Sequence, residues 1–142
     1  MVVRPMTLSD SREVASLSNQ LGYPSSASDI EKRLGTMTQG AHFGAFVAEA
    51  TDGGIAGWIH VFGVRLLQED AFAEISGLVV DANSRGQGVG KALLEAAEKW
   101  ARKYGYTGIY VRSNTKRSQA PPFYEGMGYN TVKTQHVFHK GF

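Results

Sequence analysis

The stretch Arg85-Gly86-Gln87-Gly88-Val89-Gly90-Lys91 lies between an apolar run, residues 72–80, and a long amphipathic segment, residues 88–104. Three glycines alternate with larger residues. Glycine takes positive φ without strain and lets a backbone approach another chain or a ligand closely. In the segment that follows, Val89, Leu93, Ala97, Trp100 and Tyr104 recur at four, four, three and four residues, one face of a helix. Such a helix begins with unpaired N–H groups and the positive end of its dipole. A strand, an open turn and a helix N-terminus in that order form a site for an anion, usually a phosphate. The same order limits the topology. The helix must carry the chain across to a neighbouring, parallel strand.

Two familiar glycine loops fail here. The P-loop needs a glycine where Arg85 stands and Ser or Thr where Ala92 stands. The dinucleotide fingerprint counted from Gly86 meets Lys91 in place of its last glycine, and counted from Gly88 it meets Ala92. Arg85, Gly88 and Gly90 do fit Arg-x-x-Gly-x-Gly. That pattern resembles the pyrophosphate loop of the GCN5-related N-acetyltransferases, which bind coenzyme A. A second stretch, Phe123-Tyr124-Glu125-Gly126-Met127-Gly128-Tyr129, resembles the second signature of that family. Asn114 precedes Tyr124 by ten residues, with Ala120 between them, and the likeness runs from about residue 74 to residue 129.

The resemblance implies a mixed, mostly antiparallel α/β sheet flanked by helices. A parallel pair, residues 72–80 and 107–113, is joined by the crossover helix and splays apart at the cofactor. Acetyl-coenzyme A is then a cosubstrate, with no metal. Its pantetheine pairs with the backbone of Leu78, Val79 and Val80. Its pyrophosphate sits on the amides of Arg85, Gly86, Gln87, Gly88, Val89, Gly90 and Lys91, with added charge from Arg85 and Lys91. Asn114 hydrogen-bonds the pantetheine or a nearby loop.

Transfer to an amine needs the ammonium, of ordinary pKa near ~10, to lose its proton. It also needs a donor for the oxyanion and a proton for the leaving thiolate. The resemblance assigns the last to Tyr124, which also borders the cofactor, and the first to Glu74. It gives the oxyanion to a backbone N–H near Val79, exposed by a strand bulge. Strand alternation sets Glu74, Ser76, Leu78 and Val80 on one face. The chain has no cysteine, so no acetyl-cysteine intermediate forms and direct attack in a ternary complex is the simplest route.

A length of 142 residues suits one domain, residues 1–142. A formal net charge of +2 is too small to argue for nucleic acid. No apolar run reaches the ~20 residues of a membrane span, and the first residues read as no signal peptide. A cytoplasmic protein is the expectation.

Along the chain we expect a strand over 2–6, a helix after Ser9-Asp10 with Val14, Leu17 and Leu21 as its stripe, and a helix after Ser28. Strands follow over 43–50, 55–65 and 72–80. After the crossover helix come a strand over 107–113, a short helix over about 118–127, and one or two strands over 129–138. Proline is tolerated only in a helix's first turn, so Pro121-Pro122 place the start of the short helix near Ser118.

Trp58, His60 and Phe62 share one strand face; sheet core is the expectation, an acceptor pocket the alternative. The four histidines show no metal spacing. Glu69, Asp70 and Glu74 would suit a cationic acceptor such as an aminoglycoside or polyamine. A small-molecule amine is the expected acceptor. A protein lysine or N-terminal acetyltransferase and a non-catalytic coenzyme A sensor stay open, as does a homodimer.

Overall fold

The computed structural model describes residues 1–37 and 39–142. Contacts group the chain into two compact units, Met1–Arg112 and Ser113–Phe142.

The first unit is built on one five-stranded sheet in chain order: β1 (Val2–Pro5), β2 (Phe43–Glu49), β3 (Ile55–Val64), β4 (Phe72–Val80) and β5 (Ile109–Val111). The first four strands run antiparallel, and β5 joins β4 in parallel. That parallel step is made by helix α3 (Val89–Lys103). Helices α1 (Ser11–Leu21) and α2 (Ala27–Gly35) lie between β1 and β2 in sequence. Helix α2 starts ahead of Ser28. The Ser26 hydroxyl accepts from the Asp29 N–H at 3.0 Å and the Asp29 carboxylate accepts from the Ser26 N–H at 3.0 Å, a reciprocal cap.

On one face of the sheet, Val14 and Leu17 of α1 pack with Met6, Phe43, Ala45, Val47, Ile55 and Val79, and Ile30 and Leu34 of α2 lean on the same cluster. On the other face α3 comes very close. A Cβ on Gly44 would sit 2.8 Å from Trp100 Nε1, and one on Gly63 would overlap the Tyr106 hydroxyl. Those two rings stack at 5.4 Å and donate to the carbonyls of Gly40 and Ala41, at 2.8 and 2.6 Å. The polar tips are therefore satisfied while the ring bodies are buried, each worth about 2–3 kcal/mol.

Strand β4 is not regular. Phe62 pairs with Glu74 and Val61 with Ile75, but His60 pairs with Gly77. Ser76 is thus an extra residue, a β-bulge. The bulge corrects the alternation expected from sequence. Glu74 lies on the face of Phe62, yet beyond the bulge Gly77 and Val79 take that face, opposite His60 and Trp58. Leu78 and Val80 point to the α3 side. The bulge itself lies at Ser76, three residues before Val79.

The parallel pairing of β4 with β5 covers Ala73, Glu74 and Ile75 and then stops. Residues 76–80 have no strand neighbour on that side among the described residues. Splay and bulge therefore begin at the same point.

In the second unit, α4 spans Ala120–Gly126 with its prolines in the first turn. Residues 129–142 form neither strand nor helix, against the expected strands over 129–138. Val132, Val137 and Phe138 are exposed.

Among the described residues, no helix is long and apolar enough to cross a membrane.

Candidate active site

After β4 the Asp81 N–H donates to Ala56 O at 2.8 Å, still in the ladder with β3. The Val79 carbonyl also lies on β3, 2.6 Å from where a Gly57 Cβ would stand. Backbone groups alternate sides along a strand, so those of Leu78 and Val80 face the open edge and those of Val79 face β3.

The chain then turns through Ala82–Ser84. Gln20 of α1 braces this turn: its Nε2 donates to Asp81 Oδ1 at 3.2 Å, and its Oε1 accepts from the Ala82 N–H at 3.0 Å. Arg85 is extended, and Gly86 and Gly88 take φ of +77° and +80°. A side chain at either position would be strained. Gly88 caps α3, and the Ala92 N–H makes a helical bond to its carbonyl at 3.1 Å. The amides of Val89, Gly90 and Lys91 precede that bond and have no intrahelical acceptor. Arg85, Gly86, Gln87, Gly88 and Lys91 are exposed, while Val89 is buried. The turn and helix end thus present N–H groups and the dipole's positive end to solvent, a seat for a diphosphate.

On the opposite face, α1, α2 and strands β2–β4 enclose a cavity of about 400 Å³. Trp58 and His60 line it, which corrects the expectation that both are packed sheet core. Gly77 makes room for the indole, since a Cβ there would lie 2.9 Å from the Trp58 ring. The His60 ring sits between Phe43 and Phe62, at 4.8 and 5.7 Å. Burial pushes its pKa down to about 4, so the imidazole is neutral at pH 7. Trp58 Nε1 and His60 Nε2 are buried and lack hydrogen-bond partners among the described residues. The wall also includes Ser76 and Gly77, the residues at which β5 leaves β4. Cavity and open edge therefore meet at the bulge.

Glu74 does not line this cavity. Its carboxylate accepts from Arg112 Nε at 3.2 Å and its side chain is 15 % exposed. It is a paired group, not the isolated carboxylate on a buried strand that the sequence suggests. Glu69 and Asp70 lie in the exposed loop before β4 and are also absent from the cavity wall. Sequence reasoning missed the Arg112 pairing, the brace from Gln20 and the cavity. A glycine inside a strand, Gly77 after Ser76, was the available signal for the bulge.

In the second unit, Asn114 Oδ1 accepts from the Lys116 N–H at 2.9 Å, which closes a turn after β5. Tyr124, on α4, packs edge-on against Phe123 and Tyr129 at 5.0 and 5.8 Å. Burial raises the pKa of its phenol above the ordinary value, and the charge of Arg117 only partly opposes this.

The model of the acetyltransferase (GNAT) family matches residues 12–129. N-acetyltransferase family 8 member 2 of Rattus norvegicus is 38% identical over 61 residues, 43% of this chain and 26% of that protein. The matched region is thus about a quarter of the curated relative's length. Among solved structures, glucosamine-6-phosphate N-acetyltransferase from Arabidopsis thaliana superposes with a TM-score of 0.83, 20% identity and 97% of both chains covered. Aminoglycoside N-acetyltransferase AAC(6')-Iy, solved in complex with coenzyme A, gives a TM-score of 0.85 at 18% identity, covering 98% of this chain and 93% of that one.

Proposed function

Since this chain belongs to the acetyltransferase (GNAT) family, we propose that residues 1–142 form one domain that moves an acetyl group from acetyl-coenzyme A to a primary amine of a small molecule. One observation carries the reading: an anion-ready turn before α3 lies just beyond a strand edge that is open from Ser76 to Val80. A diphosphate on the amides of residues 85–91, with charge from Arg85 and Lys91, puts the pantetheine along that edge. There it adds to β4 as a strand would, chiefly through Leu78 and Val80. The thioester then arrives at the bulge, where the cavity wall begins.

The amine attacks the thioester carbonyl directly. The N–H of Leu78, on the open edge beside Gly77, takes the role of oxyanion donor. Glu74 lies off the cavity wall and so receives the amine proton through water. Tyr124 protonates the departing thiolate; its raised pKa keeps the phenol protonated at neutral pH. Asn114 holds the turn that follows β5 and borders the cofactor. A cysteine-free chain suits a reducing cytoplasm.

The test is thiol release from acetyl-coenzyme A with a panel of amines, beside calorimetry with the cofactor alone. Tyr124→Phe should cut kcat by about 100-fold or more with cofactor affinity unchanged, and Glu74→Gln should lower kcat/KM at neutral pH and recover it as alkaline pH deprotonates the amine. Tight cofactor binding with no thiol release from any amine would leave a sensor, not an enzyme.

A further inference from the structure

The cavity beneath α1 and α2 selects its guest by what its wall holds and what it omits. Leu21, Ile30, Leu34, Met37, Phe43 and Trp58 make most of it apolar. Its charged residue is Arg33, whose guanidinium donates to Ser25 Oγ at 3.0 Å. No carboxylate lines it among the described residues. Trp58 and His60 line it with their rings, while Trp58 Nε1 and His60 Nε2 are buried away from its space.

A polyamine or aminoglycoside would bring several ammonium groups. Beyond the reacting nitrogen, each would meet an apolar wall or the like charge of Arg33, with no carboxylate to pair it. An aromatic or branched aliphatic body instead fits the apolar wall. The volume, about 400 Å³, is that of a small-ligand pocket.

We infer that the acceptor is an apolar monoamine with no second cationic group, seated against the apolar wall of this cavity and kept from polycations by Arg33. The inference rests on the acetyl-transfer reading only for the fate of the amine; the pocket's preference can be measured without turnover.

The experiment is calorimetric titration of the protein with tyramine and with spermidine, in the presence and absence of coenzyme A. Tyramine should bind at least tenfold more tightly than spermidine. Leu34→Glu, which adds a carboxylate to the α2 wall, should shift the tyramine-to-spermidine preference at least tenfold toward spermidine. Arg33→Glu, at an exposed position of the same wall, should do the same and decides the matter should Leu34→Glu fail to fold. Spermidine binding as tightly as tyramine, no binding of tyramine, or no shift in Leu34→Glu would overturn the inference. Tyramine binding without thiol release would instead sink the acetyl-transfer reading and leave the pocket's preference standing.

Discussion

Helix α3 and the pair α1 and α2 cover opposite faces of one sheet, and they cover them differently. Under α3 the sheet offers glycine: Gly44, Gly57 and Gly63 let Trp100, Leu93 and Tyr106 approach the backbone itself. The ring N–H and O–H there find carbonyls. Under α1 and α2 the sheet offers Phe43, Trp58 and His60, and the layers do not close. A cavity remains, bordered by the rings of Trp58 and His60. One face is filled through to the backbone and the other keeps a space. One sheet thus supports two kinds of layer, and the side chains it offers on each face decide which.

That contrast can be broken most sharply at the turn. Gly88→Asp forces a side chain into positive φ and sets a carboxylate on the helix end, so coenzyme A affinity should fall at least ~100-fold, about 3 kcal/mol. Calorimetry giving a loss under tenfold would remove the turn from cofactor binding.

The next effect belongs to the open face. The His60 pKa falls from 6.5 unfolded to about 4 folded. Between these values the unfolded chain holds the extra proton, so stability should decline as pH drops through that window and be fully present above it. The whole step is worth about 3 kcal/mol. Urea unfolding at pH 7.5 and 4.5 should show most of it in the wild type and little in His60→Phe. Equal slopes in both proteins would mean the ring is solvated when folded.

A smaller loss is expected under α3. Gly63→Ala drives a methyl into the Tyr106 hydroxyl and should cost about 2 kcal/mol by thermal or urea denaturation. Ser25→Thr, which likewise adds one carbon but at the cavity, should change stability by less than about 1 kcal/mol. Similar costs for the two would erase the distinction between a filled and an unfilled layer.

The same contrast explains what the sequence revealed. The apolar run over 72–80 matches β4 residue for residue, and the expected helix over 88–104 is one residue longer at each end than Val89–Lys103. Both signals are periodic and local. The turn at residues 85–91 was legible because glycine spacing reports backbone conformation directly, and Gly86 and Gly88 do take positive φ. The cavity was not legible, because empty volume and missing partners arise where several elements fail to meet. Trp58 and His60 looked like core because aromatic alternation does not say whether anything lies opposite. Glu74 looked isolated because Arg112, its partner, is 38 residues away in sequence. Residues 129–138 looked like strand because alternation marks a chain that suits a sheet; it does not supply the neighbour that makes one.

Ser76 is a spacer in β4. A chain lacking that one residue would pair Gly77 with His60 directly after Ile75 with Val61, so every side chain would keep its present compartment. What would go is the local bend, which sits where the pairing with β5 stops. One supernumerary residue therefore governs the path of the strand, while the faces on either side of it are fixed by ordinary alternation.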